Sequence, residues 1–223
     1  MALSPLRLFW GSFRVFLLAL FYLTGVAEAA SVVVSDRDGQ PLANAVVEIY
    51  YAEGAAVPVQ QARMIQRNAA FHPTVMAVPV GSQVTFPNED TTRHHVYSFS
   101  PAKTFELNLY LQETPAPVTF DQTGVVVLGC NIHDAMQAFI VVSDAPFAET
   151  TGSDGRLDAP NLPPGNHRVR VWHPRLDDNQ QIWWEGEITP DTPLEVRLEL
   201  NALPQPPPRV SPLQQRFRQA AGS

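Results

Sequence analysis

Cys130, His133 and Met136 follow one another at three-residue steps in LGCNIHDAM, residues 128 to 136, and Cys130 is the one cysteine of a 223-residue chain. A lone cysteine has no intramolecular partner, which leaves it as a small buried hydrophobe, half of an intermolecular disulfide, or a metal thiolate. Its neighbours favour the third. A thiolate, an imidazole and a thioether together suit copper: soft sulfurs hold Cu(I), and two imidazoles and a thiolate with a weak axial thioether form an electron-transfer site. That set needs a second histidine from another part of the chain. FPNEDTTRHHVYSF (86–99) offers His94 and His95. Strand alternation groups His95 with the bulky Tyr97 and Phe99, and His94 with Val96 and Ser98; parity by bulk favours His95 for the interior.

These residues must be positioned by strands. GVVVLG precedes the cysteine and QAFIVV follows the methionine, so the three residues lie on a loop between two strands, held at both ends. SVVVSD, AVVEIYYA, VTF, HHVYSF, PVTF, VVVLGC, AFIVVSD, HRVRVW and LEVRLEL are short β-branched and aromatic runs. Gly, Pro, Asp and Asn separate them at intervals of about ten residues, the spacing of an all-β sandwich. PAKTFELNLYLQ (101–112) hints at a helical period but suits a strand equally, and no sustained amphipathic helix is evident.

MAVPVGSQVTFPNEDTTRHHVY and TGVVVLGCNIHDAMQAFIVV resemble the cupredoxin family, most nearly its amicyanin and plastocyanin branch. In that branch an Asn precedes the upstream ligand His by six positions, as Asn88 precedes His94, and a short Cys-x2-His-x2-Met loop follows. The resemblance implies a Greek-key β-sandwich over 58–143 and one type 1 copper held by His94, Cys130, His133 and Met136. His133 would then lie nearest the surface and pass electrons through its ring. His95 stands where many cupredoxins have Asn, and it is the alternative upstream ligand. The wider chain is similar to exported proteins of the type labelled methylamine utilization protein. Two outer stretches, VVVSDRDGQPLANAVVEIYYAEG (32–54) and ETTGSDGRLDAPNLPPGNHRVRVWHP (149–174), resemble the two halves of the carboxypeptidase regulatory-like, transthyretin-like sandwich. That resemblance implies a second small sandwich, 30–57 plus 144–202, into which the first is inserted across a modest, partly polar interface. Trp172, Trp183 and Trp184 then read as its core or edge aromatics, and His72, His167 and His173 as structural.

The chain ends add a compartment. Arg7 and Arg14, an apolar run of about a dozen residues and Ala27-Glu28-Ala29 make residues 1–29 a secretory signal peptide, since a spanning helix needs about 20 apolar residues. The expected location is the periplasm, with no stable membrane insertion after cleavage. Residues 203–223, rich in proline and without an acid, read as a disordered tail. The net charge of −7 makes nucleic acid an unsuitable partner. No Ser/His/Asp set, second metal cluster or phosphate-cradling loop is evident, so no catalytic residues are assigned and the chain is not expected to be an enzyme. The reading that results is a one-electron carrier serving redox partner proteins. The alternatives are a copper-binding or delivery protein without redox turnover, and a binding module with an auxiliary copper site; the four methionines, scattered rather than clustered, disfavour delivery.

Overall fold

The computed structural model describes residues 30–51 and 57–202. The expected signal peptide (1–29) and proline-rich tail (203–223) lie outside the described residues. The described chain is all-β, and none of its elements is a helix long and apolar enough to cross a membrane.

Two strands lead: β1 (Ser31–Asp36) and β2 (Val46–Tyr50). Ten follow: β3 (Gln61–Arg63), β4 (Ile65–Arg67), β5 (Ala70–His72), β6 (Val75–Pro79), β7 (Ser82–Thr85), β8 (His94–Ser100), β9 (Lys103–Tyr110), β10 (Val118–Phe120), β11 (Gly124–Gly129) and β12 (Gln137–Ser143). Five close the chain: β13 (Phe147–Thr150), β14 (Arg156–Asp158), β15 (His167–Trp172), β16 (Trp184–Ile188) and β17 (Leu194–Leu198). The segment with a helical hint is therefore the strand β9.

Pairing sorts these strands into two sets. Among β3–β12, a five-stranded sheet runs β6-β12-β11-β8-β9, a three-stranded sheet runs β10-β7-β3, and β4-β5 is a hairpin. Strands β1 and β2 pair with late strands, in the sheets β14-β1-β17 and β13-β2-β15-β16. Val169 of β15 lies opposite Ile49 of β2 across 120 residues of sequence.

Three apolar clusters fill the layers. Met64, Phe86, Phe120, Leu128, Met136 and Ile140 belong to the first, within the β3–β12 set. Val32, Val34, Ile49, Val169 and Val196 belong to the second, within the outer set. The third joins Val75, Phe139 and Val141 to Val46 and Trp172. Strand β12 explains the arrangement: Ala138, Ile140 and Val142 enter the first cluster, while Phe139 and Val141 face the other way into the third. A strand covered on both faces reads as an unbroken apolar run, as FIVV does. Trp172, fully buried, serves this junction rather than the outer core, with its ring centroid 5.5 Å from that of Phe139. Beside the apolar junction, buried Glu48 and Ser143 and the Tyr50 hydroxyl, 3.2 Å from Asp144, add polar contacts.

Candidate metal centre

The spacing of Cys130, His133 and Met136 has a local cause. The His133 N–H donates to the Cys130 carbonyl at 3.4 Å and the Met136 N–H to the His133 carbonyl at 2.9 Å. Two successive three-residue turns thus link the end of β11 to the start of β12. Cys130 and Met136 are 4 % and 2 % exposed and lie in the same apolar cluster, whereas His133 is half-buried and Ile132 beside it is exposed.

His94 joins them from β8. Its Nδ1 lies 3.9 Å from the Cys130 sulfur, the His133 Nδ1 lies 3.9 Å from the same sulfur, and the two imidazole centroids are 5.0 Å apart. One ligand atom from each of His94, Cys130 and His133 falls within 4.8 Å of the others. A sulfur-to-nitrogen distance of 3.9 Å is long for a hydrogen bond, but it matches the edge of a trigonal metal site. Bonds of about 2.0 Å to nitrogen and about 2.3 Å to sulfur at 120° put those atoms about 3.7 Å apart. The donor set therefore fits a soft-to-borderline metal such as copper. Met136 adjoins it in the packing as a thioether.

His95 faces elsewhere. Its Nε2 lies 2.8 Å from a Glu106 oxygen and its ring packs on Tyr97 at 5.5 Å, on the opposite face of β8. Alternation along β8 is kept, but bulk is a poor guide to direction. Small Val96 and Ser98 are buried, while Tyr97 is half-buried and Phe99 is 78 % exposed. The interior beneath β8 is already filled from other strands, so the strand presents small residues inward and aromatics outward. Tyr97 also covers the backbone before the cysteine: a Cβ built on Gly129 would sit 2.7 Å from the end of the Tyr97 ring, so a larger residue there would have to displace that ring.

Asn88 and Asp90 orient His94. The Asn88 side-chain amide donates to the Thr92 and Tyr110 carbonyls, both at 2.9 Å, and its oxygen accepts from the Asp90 N–H. The approach to β8 is thereby tied to the end of β9. Asp90 then accepts from His94 Nε2 at 2.7 Å, which leaves Nδ1 as the lone pair facing the sulfur. Asp90 is itself seated on the β4–β5 turn, whose Asn68 and Ala69 both have positive φ, 54° and 53°. Their N–H groups converge on its carboxylate at 2.6 and 2.9 Å, an anion-binding nest. Burial works against the Asp90 charge, yet the Ala69 N–H, His94 and the Asn68 N–H hold its carboxyl below the usual range. The sequence reading missed Asp90, Gln66 and Tyr110. Gln66 and Tyr110 brace the wall behind the site: the Tyr110 hydroxyl donates to the Phe86 carbonyl at 2.6 Å, and burial, then the Cys130 charge, pushes that hydroxyl up to about 12. The i, i+4 spacing of Asp90 and His94 was the one available signal.

No family model matches the chain, and no curated protein matches it. Among solved structures it is similar to a purple cupredoxin from Nitrosopumilus maritimus, at 23% identity over 37% of this chain and 99% of that one, with a TM-score of 0.32. It is similar to an oxidised amicyanin variant at 18% identity over 45% of this chain and 99% of that one, with a TM-score of 0.35. A copper-containing nitrite reductase from Thermus scotoductus matches at 26% identity and a TM-score of 0.34 over 50% of this chain, which spans 28% of the reductase.

Proposed function

We propose that this protein is a type 1 copper protein of the periplasm that carries single electrons between partner proteins. The observation that carries the reading is the convergence of His94 Nδ1 from the start of β8 with Cys130 Sγ and His133 Nδ1 from the β11–β12 loop. Copper, when bound, would supply the Cu(II)/Cu(I) couple. His94, Cys130 and His133 would be its strong ligands and Met136 a weaker fourth. Asp90 keeps His94 in the tautomer whose free nitrogen faces Cys130, and the Asn88 bonds tie the approach to β8 to the end of β9. A carrier needs a site that changes little between oxidation states, and ligands locked by packing and by such outer hydrogen bonds provide it. His94 and Cys130 are closed to water, so half-buried His133, beside exposed Ile132, is the side from which a partner would exchange electrons.

The same reading makes residues 58–143 a cupredoxin unit inserted into a carboxypeptidase regulatory-like sandwich of residues 30–57 and 144–202. Its support is that β1 and β2 pair with β13–β17 and that the strands between them pair among themselves. Residues 1–29, with the features of a signal peptide, support export.

The test is spectroscopic. Loading the purified protein with Cu(II) is expected to produce a strong thiolate-to-copper absorption in the red and a type 1 EPR signal, both lost in Cys130→Ala. A colourless, EPR-silent protein under oxidising conditions would refute the carrier and favour Cu(I) retention or a packing role for Cys130.

A further inference from the structure

We infer that the cleft between the two strand sets is a binding site for a neutral, polyhydroxylated ligand of the saccharide class. The cleft measures about 320 Å³, the size of a small-ligand pocket. One wall comes from the β8–β9 turn and the start of β11, with Ser100 and Thr123; the other comes from the loop between β15 and β16, with Asn179, Gln180, Gln181 and Trp183.

The chemistry of this lining selects the ligand. None of the residues that line the cleft is ionisable, although 17% of the chain is charged. An ionic ligand would lose its hydration there and gain no counter-charge. A purely apolar ligand would strip water from three carboxamides and two hydroxyls that the protein satisfies only in part. Carboxamides and hydroxyls each offer both a donor and an acceptor, as a sugar hydroxyl does. The indole of Trp183 supplies the flat apolar surface that the C–H face of a sugar ring covers. Its position is fixed by the Arg170 guanidinium, 4.2 Å from the ring centroid.

A second observation points to a ligand. Gln180 stands at φ 61°, in the left-handed region, and its loop is pinned by hydrogen bonds from the Gln180 and Gln181 N–H groups to Asp177. Its amide nitrogen reaches the Pro174 and Asp178 carbonyls, but its Oε1 is buried and has no partner among the described residues. A buried acceptor left unpaired costs about 1–3 kcal/mol, and a small rotation of the Gln180 amide toward the cleft would let its oxygen accept a ligand hydroxyl. This inference stands independently of the copper reading, because none of the proposed ligands of the metal lines the cleft.

The experiment is a titration of the purified, 15N-labelled protein with maltotriose, cellotriose, xylotriose and chitotriose, with succinate and tetramethylammonium as charged controls. At least one trisaccharide is expected to shift the Trp183 indole and the Gln180 and Gln181 amide signals saturably, with a Kd at or below about 1 mM. Trp183→Ala should weaken binding about tenfold or more. Gln181→Ala, at an exposed position outside the packed layers, should weaken it about two- to tenfold with unchanged melting temperature. The inference is overturned if none of the four sugars shifts these signals, if the charged controls shift them equally, or if both variants bind as the parent does.

Discussion

Both strand sets bury histidine, and His94 and His173 are put to opposite use. In the metal-loop region His94 is fully buried, with one ring nitrogen on the Asp90 carboxylate and the other facing Cys130. In the outer region His173 is 8 % exposed, and its Nδ1 accepts the Arg175 N–H at 3.1 Å. Burial first, and then the Arg175 charge, push His173 down to about 4. Burial alone therefore does not make a ligand. His94 is the proposed ligand because a carboxylate occupies the far nitrogen, and a thiol and a second imidazole from the β11–β12 loop meet the near one. The outer region spends its buried polar groups on turns instead: the Thr151 hydroxyl donates to the Leu42 carbonyl at 2.6 Å and accepts the Ala45 N–H at 3.0 Å.

That contrast can be broken most directly at the paired histidines. His94→Ala is expected to destroy the copper spectrum or open the site to added imidazole, whereas His95→Ala, which loses only the Glu106 contact and the packing on Tyr97, should shift it modestly. The reverse pattern would mean that β8 presents its other face to the metal. Next in size is the junction between the regions. Trp172→Ala empties a fully buried site and should cost about 3–5 kcal/mol in urea denaturation. A loss below about 1 kcal/mol would show that the two regions do not depend on the Trp172–Phe139 contact.

The outer histidine should also act on stability through pH. Its folded value, about 4, lies below the ordinary 6.5, so the unfolded chain takes up the proton first. Stability is then complete above about pH 6.5 and falls as pH drops towards 4, by about 3 kcal/mol for this group. Replacing it in His173→Gln should remove that component, seen as a smaller difference between denaturation midpoints at pH 7 and pH 4.5; an undiminished difference would assign the acid sensitivity to other groups. The smallest effect is expected at Asp90. Asp90→Asn keeps the size of the side chain but loses the charge that faces His94 and the Asn68–Ala69 nest, and should weaken copper affinity about 10–100-fold. Unchanged affinity, measured by competition with a chelator, would reduce Asp90 to a turn anchor.

Much of this was legible in the residues themselves. The β-branched and aromatic runs that became β8, β11, β12, β15 and β17 carry their strand character locally, and so does the loop, because three-residue steps between Cys130, His133 and Met136 are the period of the turns that form it. The short strands β3, β4 and β5 were not readable: three residues hold too little alternation, and Asn68-Ala69 lacks the glycine that marks a two-residue hairpin with positive φ. Tertiary structure alone decided three matters. It chose which face of HHVYSF turns inward, since alternation defines two faces but the layers already filled beneath β8 select one. It brought Asp90 onto a turn more than twenty residues earlier, and it placed Trp172 against Phe139 instead of in the outer core. In each case the deciding contact joins segments far apart in the chain, so no local pattern of residues could encode it.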